Sequence, residues 1–490
     1  MNLNRTLYGL LAIFLLAAAL RLINITNPLL GHHSWRQTDT AAIARNFIEE
    51  RYNILYPKID WRGATNGNVE CEFPVYQFTL ASIYRILGVH EIIGRLLSLV
   101  FSLATGLGVY LVSKRVATPS VGLWAAFFFA VLPMPIFFGR TVMPEAMLVA
   151  ACTYAVLWFL EWARTNSLTF LFLSAAALTI ACLIKPPTLY LGLPLAYFAL
   201  RKHGRRAMTR PELWLFAAVV FGSLILWYTH AHQFKQTTGL TFTFFVWEHG
   251  SGQWWNRELV CSWEFWEKIL LHRIFHDSLS YFGLPLLIIG LLTAPHSEDE
   301  KLFPLWLAGM LVFILVAPIR VFVHDYYLLP AAVPVSYFMG KAVSWGASKP
   351  HPKAPWIRIA LGVCLIGIVV VSLNTYGKWL RREDPSKKKA FQAAQIADQM
   401  LPKGSLVIAV DKENPLMLYY SHRKGWHSSP QDLTPEFIAD RAGQGADYIL
   451  GVNNSFTKDG ATENFHRLLR QYEVVVNNGV FFIVKITETP

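Results

Sequence analysis

The sequence predicts an α-helical membrane protein that crosses the bilayer about eleven times and ends in a small α/β domain. Of its 490 residues, 54% are hydrophobic and only 16% are charged, whereas soluble chains carry about 25% charged residues. Apolar segments of about 20 residues, long enough to cross roughly 30 Å of hydrocarbon, recur along the chain. Beyond residue 376 these segments stop, and β-type runs alternate with helical stretches. We therefore predict a transmembrane domain over residues 1–376 and a soluble α/β domain over residues 377–490.

The positive charge of the chain fits a membrane better than a nucleic acid. The formal net charge is +12, but the Lys and Arg residues lie in short loops between apolar segments, as is typical of cytoplasmic loops. The sequence contains no nucleic-acid-binding motif. We therefore expect membrane lipids, and no nucleic acid, among the binding partners.

The first apolar segment, residues 7–25, is predicted to be an uncleaved transmembrane helix with its N-terminus in the cytoplasm. A cleaved secretory signal is the alternative, because the segment has a basic start and three alanines at 17–19. Counting the spans from this helix puts the basic cluster 201–206 on the cytoplasmic side. The same count puts two long loops, residues 26–91 and 231–276, and the C-terminal domain on the outer side.

Arg36 and Asp39 lie three residues apart at the start of the first outer loop. A helix is predicted over residues 38–52, since apolar residues recur there at near-helical intervals. Thr38 would cap this helix, and Asp39 in its first turn would interact favourably with the helix dipole. This capping role is the purely structural interpretation of Asp39.

Further ionisable residues lie in the other loops that the predicted topology puts on the outer side. These are His32, His33, Glu70, Glu72, Arg140, Glu145, Lys185, Arg320, His324, Asp325 and Tyr326. The set combines carboxylates, which can transfer protons, with cations that can bind an anionic group beside the bilayer. Such a mixture suits transfer of a sugar from a lipid-linked phosphate donor, whose phosphate would lie at the level of the headgroups.

Two further features of the outer loops concern disulfides and metals. Cys71 and Cys261 could form a disulfide, because both are predicted on the non-cytoplasmic side; two free thiols are the alternative. A metal could be bound by four residues of the first outer loop, His32, His33, Glu70 and Glu72, but their spacing matches no established metal site. Because Lys and Arg can supply the positive field, we expect neither a metal nor another cofactor.

Three motifs resemble those of the GT-C type bacterial membrane glycosyltransferases. They are Trp35-Arg36-Gln37-Thr38-Asp39-Thr40, Arg140-Thr141-Val142-Met143-Pro144-Glu145 and His324-Asp325-Tyr326-Tyr327-Leu328-Leu329-Pro330. The branch that the chain resembles, over about residues 5–375, is the protein-mannosyltransferase-like family 39, which includes the lipid A aminoarabinose transferases.

The resemblance implies a GT-C fold, a polyprenyl-phosphate sugar donor and an active site on the periplasmic face of the bacterial inner membrane. It also implies that Asp39 is the catalytic acid of the first outer loop and that Glu145 matches the family's second acidic position. Many relatives carry adjacent acids in the first loop, whereas Asp39 stands between Thr38 and Thr40. This departure leaves proton transfer to one residue and argues against a metal in that loop.

The residues and the resemblance together predict a glycosyltransferase of cell-envelope glycan biosynthesis or protein glycosylation. It would move a hexose or pentose to a hydroxyl group of a lipid, glycan or protein, with inversion, Asp39 acting as general base and Glu145 as a second acid. Substrate binding would involve eight residues: His33, Arg36, Glu72, Arg140, Lys185, His324, Asp325 and Tyr326. The alternatives are a transporter or flippase of lipid-linked saccharides, and an O-antigen ligase or polymerase.

Overall fold

The computed structural model describes residues 3–242, 255–348, 354–412 and 414–486. Part of the predicted outer loop 231–276, namely residues 243–254, lies outside the described residues. The chain divides into two compact units, each assembled from segments that are separate in sequence. The first unit comprises Met1–Ile25, Arg95–Thr229 and Phe244–Lys378, and the second comprises Thr26–Gly94, His230–Thr243 and Trp379–Pro490.

The chain is mostly helical. Its α-helices up to residue 266 are α1 (Leu3–Leu22), α2 (Ser34–Glu49), α3 (Val75–Leu87), α4 (Glu91–Val116), α5 (Pro119–Val131), α6 (Pro133–Phe138), α7 (Glu145–Thr165), α8 (Leu168–Ile184), α9 (Gly192–His203), α10 (Pro211–Thr238), α11 (Arg257–Cys261) and α12 (Trp263–Trp266). A π-helix, Glu267–Ser278, then leads to α13 (Gly283–Leu292), α14 (Leu302–Val316), α15 (Pro318–Val323), α16 (Ala332–Ser348), α17 (Ala354–Leu380), α18 (Lys389–Met400), α19 (Leu416–Tyr420), α20 (Pro435–Gly443), α21 (Asn453–Lys458) and α22 (Thr462–Gln471). Two 3₁₀ segments, Pro186–Leu191 and Asp325–Ala331, precede α9 and α16.

Several of these helices are apolar enough to cross a bilayer, so the chain is a multi-pass membrane protein. Within the described residues, five helices combine the required length and hydropathy, namely α1, α4, α7, α10 and α17, and a bent pair ending in α13 would be a sixth. Other predicted spans coincide with shorter apolar helices such as α5 and α8. The predicted number of eleven crossings stays a prediction.

Proline explains why one predicted span, residues 119–138, consists of two helices. Thr118 caps α5 by accepting a hydrogen bond from the Val121 amide. Leu132 has extended backbone angles (φ −68°, ψ 146°) because the ring of the following Pro133 disfavours helical ones. The helix therefore breaks at Leu132 and resumes as α6.

Arg21, near the C-terminal end of α1, donates hydrogen bonds to backbone carbonyl groups on both sides of this break. Its guanidinium is buried and donates to the carbonyl oxygens of Ala130 (3.2 Å) and Pro135 (2.9 Å) and to Ser102 Oγ (2.8 Å). Gly139 has no room for a side chain, since an added Cβ would lie 2.6 Å from Arg21 Nε. Arg21 thus joins α1, α4, α5 and α6 immediately before the Arg140 motif.

The C-terminal part of the second unit contains the predicted α/β structure. Its five strands are β1 (Leu406–Val410), β2 (Lys424–Ser428), β3 (Ala446–Val452), β4 (Glu473–Asn477) and β5 (Phe481–Lys485), in the order β2-β1-β3-β5-β4. β1, β2 and β3 are parallel, and β5 is antiparallel to β3 and β4. The sequence predicted this sheet apart from β2, whose residues lack the β-branched pattern of a strand.

Residues 26–91, the predicted first outer loop, belong to the same compact unit as this sheet. Leu30 lies in the core between α18, α19 and the sheet. The Gly63 amide donates to the Gly425 carbonyl (2.7 Å), and the Gly425 amide donates to the Asp60 carbonyl (3.1 Å). The helix α2, which carries Asp39, is therefore supported by residues that follow it by more than 350 positions.

A buried charge cluster strengthens this association. The Asp60 carboxylate accepts hydrogen bonds from Arg45 and Lys424, both at 2.5 Å, and Arg45 also donates to the Tyr419 carbonyl (3.0 Å). Burial by itself would raise the pKa of Asp60, but the two cations outweigh it and hold that pKa below its usual range. The cluster joins α2, the loop after it, α19 and β2.

Asp60→Asn is expected to destabilise the second unit by about 3 kcal/mol, because it leaves two cations without their buried counter-charge. Since the pKa of Asp60 is lowered in the folded state, its contribution is present above the unfolded pKa and is lost as the pH falls through the folded one. Thermal unfolding of the detergent-solubilised protein at pH 7 measures the effect. The control is Glu49→Gln, because Glu49 is a half-exposed partner of Arg45 at 3.7 Å; equal losses in both variants would contradict the prediction.

Candidate functional site

The helix that carries Asp39 begins earlier than the sequence predicted. α2 starts at Ser34, and His33 precedes it in a left-handed conformation (φ 56°, ψ 38°) without a side-chain cap. Asp39 is therefore in the second turn, and the Thr38 hydroxyl donates back to the Ser34 carbonyl (3.0 Å). The capping interpretation of Asp39 and Thr38 is wrong, because neither side chain can reach the free amides of the first turn from these positions.

Asp39 is almost completely buried, with 2% of its surface exposed. Its Oδ1 accepts a hydrogen bond from Trp61 Nε1 at 3.0 Å. Burial raises the pKa of Asp39 to about 7, although the Arg36 charge and the Trp61 hydrogen bond act in the opposite direction. A carboxyl group with this pKa can accept a proton near neutral pH and release it again.

Trp61 is a site residue that sequence reasoning missed. Its ring lies beside His427 of β2 (centroids 4.9 Å apart) and beside Phe242 (5.8 Å), and it packs against the core of α18 and α19. The sheet therefore fixes the ring whose N–H group binds Asp39. A lone Trp in a loop gives no sequence signal for this contact.

Arg36 and Glu72, both predicted to bind substrate, form a buried ion pair with each other. The Arg36 guanidinium also lies 5.2 Å from the centroid of the Phe242 ring. This pair explains how a cation and a carboxylate can both be buried beside Asp39 in the same unit. The ring of His33, the other predicted binding residue of this loop, lies 4.0 Å from that of His32 at a tilt of 44°, and the His32 ring lies parallel to Trp379 at 5.8 Å.

The four residues that could have formed a metal site do not share one. Glu70 is bound by His232 Nδ1 (2.9 Å) and by the Thr241 hydroxyl, and Glu72 is bound by Arg36. Among the described residues of the second unit, neither glutamate therefore lies in a group of possible metal ligands with His32 and His33.

Of the two alternatives that the sequence left open for Cys71 and Cys261, the structure has the free thiols. Cys71 is enclosed in the second unit, where burial raises its pKa to about 12, whereas Cys261 is exposed at the end of α11.

In the first unit, residues of two of the three sequence motifs come together around Lys185. Glu145 is the first residue of α7, is fully buried, and accepts a hydrogen bond from Lys185 Nζ at 2.7 Å. The same ammonium group lies 3.8 Å from the Tyr326 ring centroid and 4.2 Å from that of Tyr327. Lys185 is itself only 6% exposed, so it does not extend to the membrane surface as an interfacial lysine would.

The remaining predicted residues lie around this pair or anchor its loops. His324 stacks on Tyr326, with centroids 5.1 Å apart and ring planes 12° apart. Asp325 is buried at the start of the 3₁₀ segment before α16. Arg140 is fully buried, and its Nη2 donates to the Asn24 carbonyl after α1 (2.7 Å). Sequence reasoning found these positions but missed Tyr327 and Arg21.

Comparison with known proteins supports the resemblance read from these motifs. Residues 72–231, about a third of the chain, match the family model of dolichyl-phosphate-mannose-protein mannosyltransferases. The structure matches that of ArnT from Cupriavidus metallidurans bound to undecaprenyl phosphate with a TM-score of 0.68 and 14% identity, covering 100% of this chain and 99% of that one. The chain has the GT-C glycosyltransferase fold.

Two other GT-C structures show the same fold. The archaeal oligosaccharyltransferase AglB from Archaeoglobus fulgidus, in complex with an inhibitory peptide and a dolichol-phosphate, matches with a TM-score of 0.60 and 12% identity, over 99% of this chain and 75% of that one. The arabinofuranosyltransferase AftD from Mycobacteria matches with a TM-score of 0.59 and 14% identity. The match covers 100% of this chain and 40% of that one. No curated protein sequence matches the chain. At 12–14% identity these likenesses establish the fold.

Proposed function

We propose that this GT-C protein transfers one sugar from a polyprenyl-phosphate donor to a hydroxyl group of a lipid, glycan or protein acceptor. The observation that carries the proposal is the buried Asp39, whose pKa is raised to about 7 in a chain with the GT-C fold. The ArnT structure was solved with undecaprenyl phosphate and the AglB structure with a dolichol-phosphate. These ligands support the class of donor.

Asp39 would act as the general base in a single displacement. As the acceptor oxygen attacks the anomeric carbon, the carboxylate takes the hydroxyl proton, and the bond from that carbon to the phosphate oxygen breaks. The polyprenyl phosphate leaves with the electron pair of this bond. One displacement inverts the configuration at the anomeric carbon.

Lys185 and Glu145 would bind substrate groups in the first unit. The buried ammonium group of Lys185 carries a positive charge, which can stabilise a leaving phosphate. Glu145 Oε2 is buried without a hydrogen-bond partner among the described residues. Because an unpaired buried oxygen costs free energy, a substrate hydroxyl that donates to it would be bound favourably.

The pH dependence of transfer tests the role of Asp39. Because the base must be deprotonated, kcat/KM is expected to rise with pH and to level off above about 7. The Trp61 hydrogen bond lowers the pKa of Asp39, so Trp61→Phe should move the midpoint upward by about one pH unit. Phe242→Leu, which alters the packing of Trp61 but keeps its N–H group, is the control. A midpoint that stays in place in Trp61→Phe would contradict the role of the hydrogen bond.

The assay that tests the function uses the purified protein and a panel of polyprenyl-phosphate hexoses and pentoses. Mass spectrometry should detect free polyprenyl phosphate and an acceptor heavier by one sugar residue. Activity should persist in EDTA, because Lys185 and the arginines supply positive charge without a metal. Intact donor with every sugar and acceptor class, together with donor movement between the leaflets of a vesicle, would establish a transporter instead.

We further propose that the protein lies in the bacterial inner membrane with its N-terminus in the cytoplasm and its C-terminal domain in the periplasm. A reporter enzyme that is active only in the periplasm, fused after Pro490, should then be active. The matched control carries the same reporter in the basic segment 204–209 between α9 and α10 and should be silent. The opposite pattern would invert the topology.

A further inference from the structure

A pocket rich in cations lies at the end of α7 that is remote from Glu145. This cationic pocket has a volume of about 310 Å³ and contains the side chains of Arg115, Arg164, Arg201 and Lys202. Glu145 begins α7, whereas Ala163, which lines the pocket, lies 18 residues further along the helix. At 1.5 Å per residue the two positions are about 27 Å apart, close to the thickness of a bilayer. The pocket is therefore separate from the Glu145–Lys185 pair.

The charges of the cationic pocket do not balance. Asp299 accepts from Arg201 (2.7 Å) and lies 3.3 Å from Arg115. Glu161 binds Arg115 (3.1 Å) and Arg164 (2.7 Å). Two carboxylates therefore face four cations. An anion with several oxygens could bridge the guanidinium groups, each of which has five N–H donors.

Lys202 fixes one wall of the pocket. Its ammonium group donates to the carbonyl oxygens of Trp162 (2.7 Å) and Ala163 (2.8 Å) at the end of α7 and lies 4.4 Å from the Trp162 ring centroid. These bonds hold α9 against α7. Arg164 and Arg201, by contrast, have side chains that are 60% and 41% exposed. They can therefore reorient towards a ligand at little cost.

An apolar cavity of about 360 Å³ is lined by two of the same helices, α7 and α9, as the cationic pocket. It is lined by residues of α7, α8, α9 and α10, including Phe159, Leu195, Ala199, Trp214 and Ala217. Both α7 and α9 line the two spaces, since Phe159 and Ala199 face the cavity whereas Leu160 and Phe198 face the pocket. A ligand that fills both must carry an anionic group next to a hydrocarbon chain.

We propose that these two spaces together bind an anionic phospholipid. The headgroup phosphate would sit among the arginines of the cationic pocket, and part of an acyl chain would occupy the apolar cavity. Basic pockets between membrane helices bind anionic headgroups in this way. A donor lipid whose phosphate lies at Lys185 would be at the opposite end of α7, so the two lipids would not compete.

Native mass spectrometry of the full-length protein in detergent tests this site. The probes are phosphatidylglycerol and phosphatidylcholine with identical acyl chains, and we expect at least a fivefold preference for phosphatidylglycerol. Arg164→Gln combined with Arg201→Gln should abolish the preference. Arg205→Gln combined with Arg206→Gln is the matched control, because it removes the same charge from exposed residues that do not line the pocket. The control should keep the preference.

A second pair of variants tests the cavity without changing any charge. Ala217→Trp should fill the apolar cavity and lower phosphatidylglycerol binding, whereas Leu226→Trp, at an exposed position of α10, should leave it unchanged.

Equal losses in both double-arginine variants would show a diffuse charge effect and overturn the site. An unaltered affinity in Ala217→Trp would overturn the acyl-chain assignment. Tighter binding of polyprenyl phosphate, lost in the Arg164/Arg201 variant, would overturn the phospholipid assignment. Sugar transfer is not measured in these experiments, so their outcome is independent of the proposed activity.

Discussion

Asp39→Asn is expected to lower the rate of sugar transfer by about a hundredfold to ten-thousandfold while the protein stays folded. Loss of a general base typically costs a factor of about 10² to 10⁴, and an amide cannot accept the acceptor's proton. Asn has nearly the same shape and can keep the hydrogen bond from Trp61, whose N–H group lies 3.0 Å from Asp39 Oδ1. The substitution therefore removes the proton acceptor and little else.

The stability of this variant separates a catalytic role from a structural one. Because burial raises the pKa of Asp39 from 3.8 to about 7, folding favours its protonated form. The stability of the wild type therefore falls as the pH rises from the unfolded pKa to the folded one and levels off above about 7. Asp39→Asn should therefore unfold at the same temperature as the wild type or higher at pH 8. Unfolding at a clearly lower temperature would indicate that the carboxylate stabilises the fold.

Asp411 provides a matched control for the loss of a buried carboxyl group. It directly follows β1 in the same unit, and burial raises its pKa to about 7 as well. Asp411→Asn should retain transfer, since no residue of the three motifs is altered. Full transfer by Asp39→Asn, measured with labelled donor, would refute the assignment of the base.

Lys185→Met is expected to destabilise the first unit by about 3–5 kcal/mol, because the fully buried Glu145 would lose its counter-charge. Glu145→Gln should cost less, since Lys185 would keep its contacts with the rings of Tyr326 and Tyr327. The double variant Glu145→Gln/Lys185→Met should recover most of the lost stability. Thermal unfolding of the three variants in detergent measures these differences.

The double variant also shows whether the pair has a role besides packing. If Lys185 binds the donor phosphate, the double variant should transfer sugar about a hundredfold more slowly than the wild type even though its stability is recovered. Glu300 and Lys341 form a second buried pair in the same unit, with an N–O distance of 2.8 Å. The corresponding double variant, Glu300→Gln/Lys341→Met, should keep its transfer rate. Wild-type transfer by the Glu145/Lys185 double variant would leave that pair with a structural role alone.

Some features of the molecule could be predicted from the sequence because they depend on residues that are close in sequence. The membrane class follows from the length of the apolar segments, and the predicted strands 406–410 and 448–452 follow from short β-type runs; helices and strands occur at these positions. The three motifs identified Glu145 and Tyr326, whose contacts with Lys185 the structure shows.

Other features could not be predicted from the sequence because they depend on contacts between residues that are remote in sequence. Nothing in the hydrophobic pattern near Arg36 indicates that Glu72 pairs with it. The start of α2 was misplaced because the helix follows a left-handed His33 that provides no side-chain cap, so the usual capping signal is missing there. The choice between a disulfide and a free thiol at Cys71 could not be made for the same reason, since a topology places two loops on one side but does not say which side chains become buried.

The amino-acid sequence was sufficient to establish a multi-pass membrane protein with an α/β tail and to single out Asp39, because hydropathy and short motifs are local properties. Only the folded chain shows that the first outer loop shares a compact unit with the tail. There Asp60 binds Lys424, and Trp61 packs on His427 while donating to Asp39. The environment that raises the pKa of Asp39 is thus assembled from segments hundreds of residues apart. Burial of that kind is decided by tertiary packing, since it depends on which distant residues exclude water from the carboxyl group.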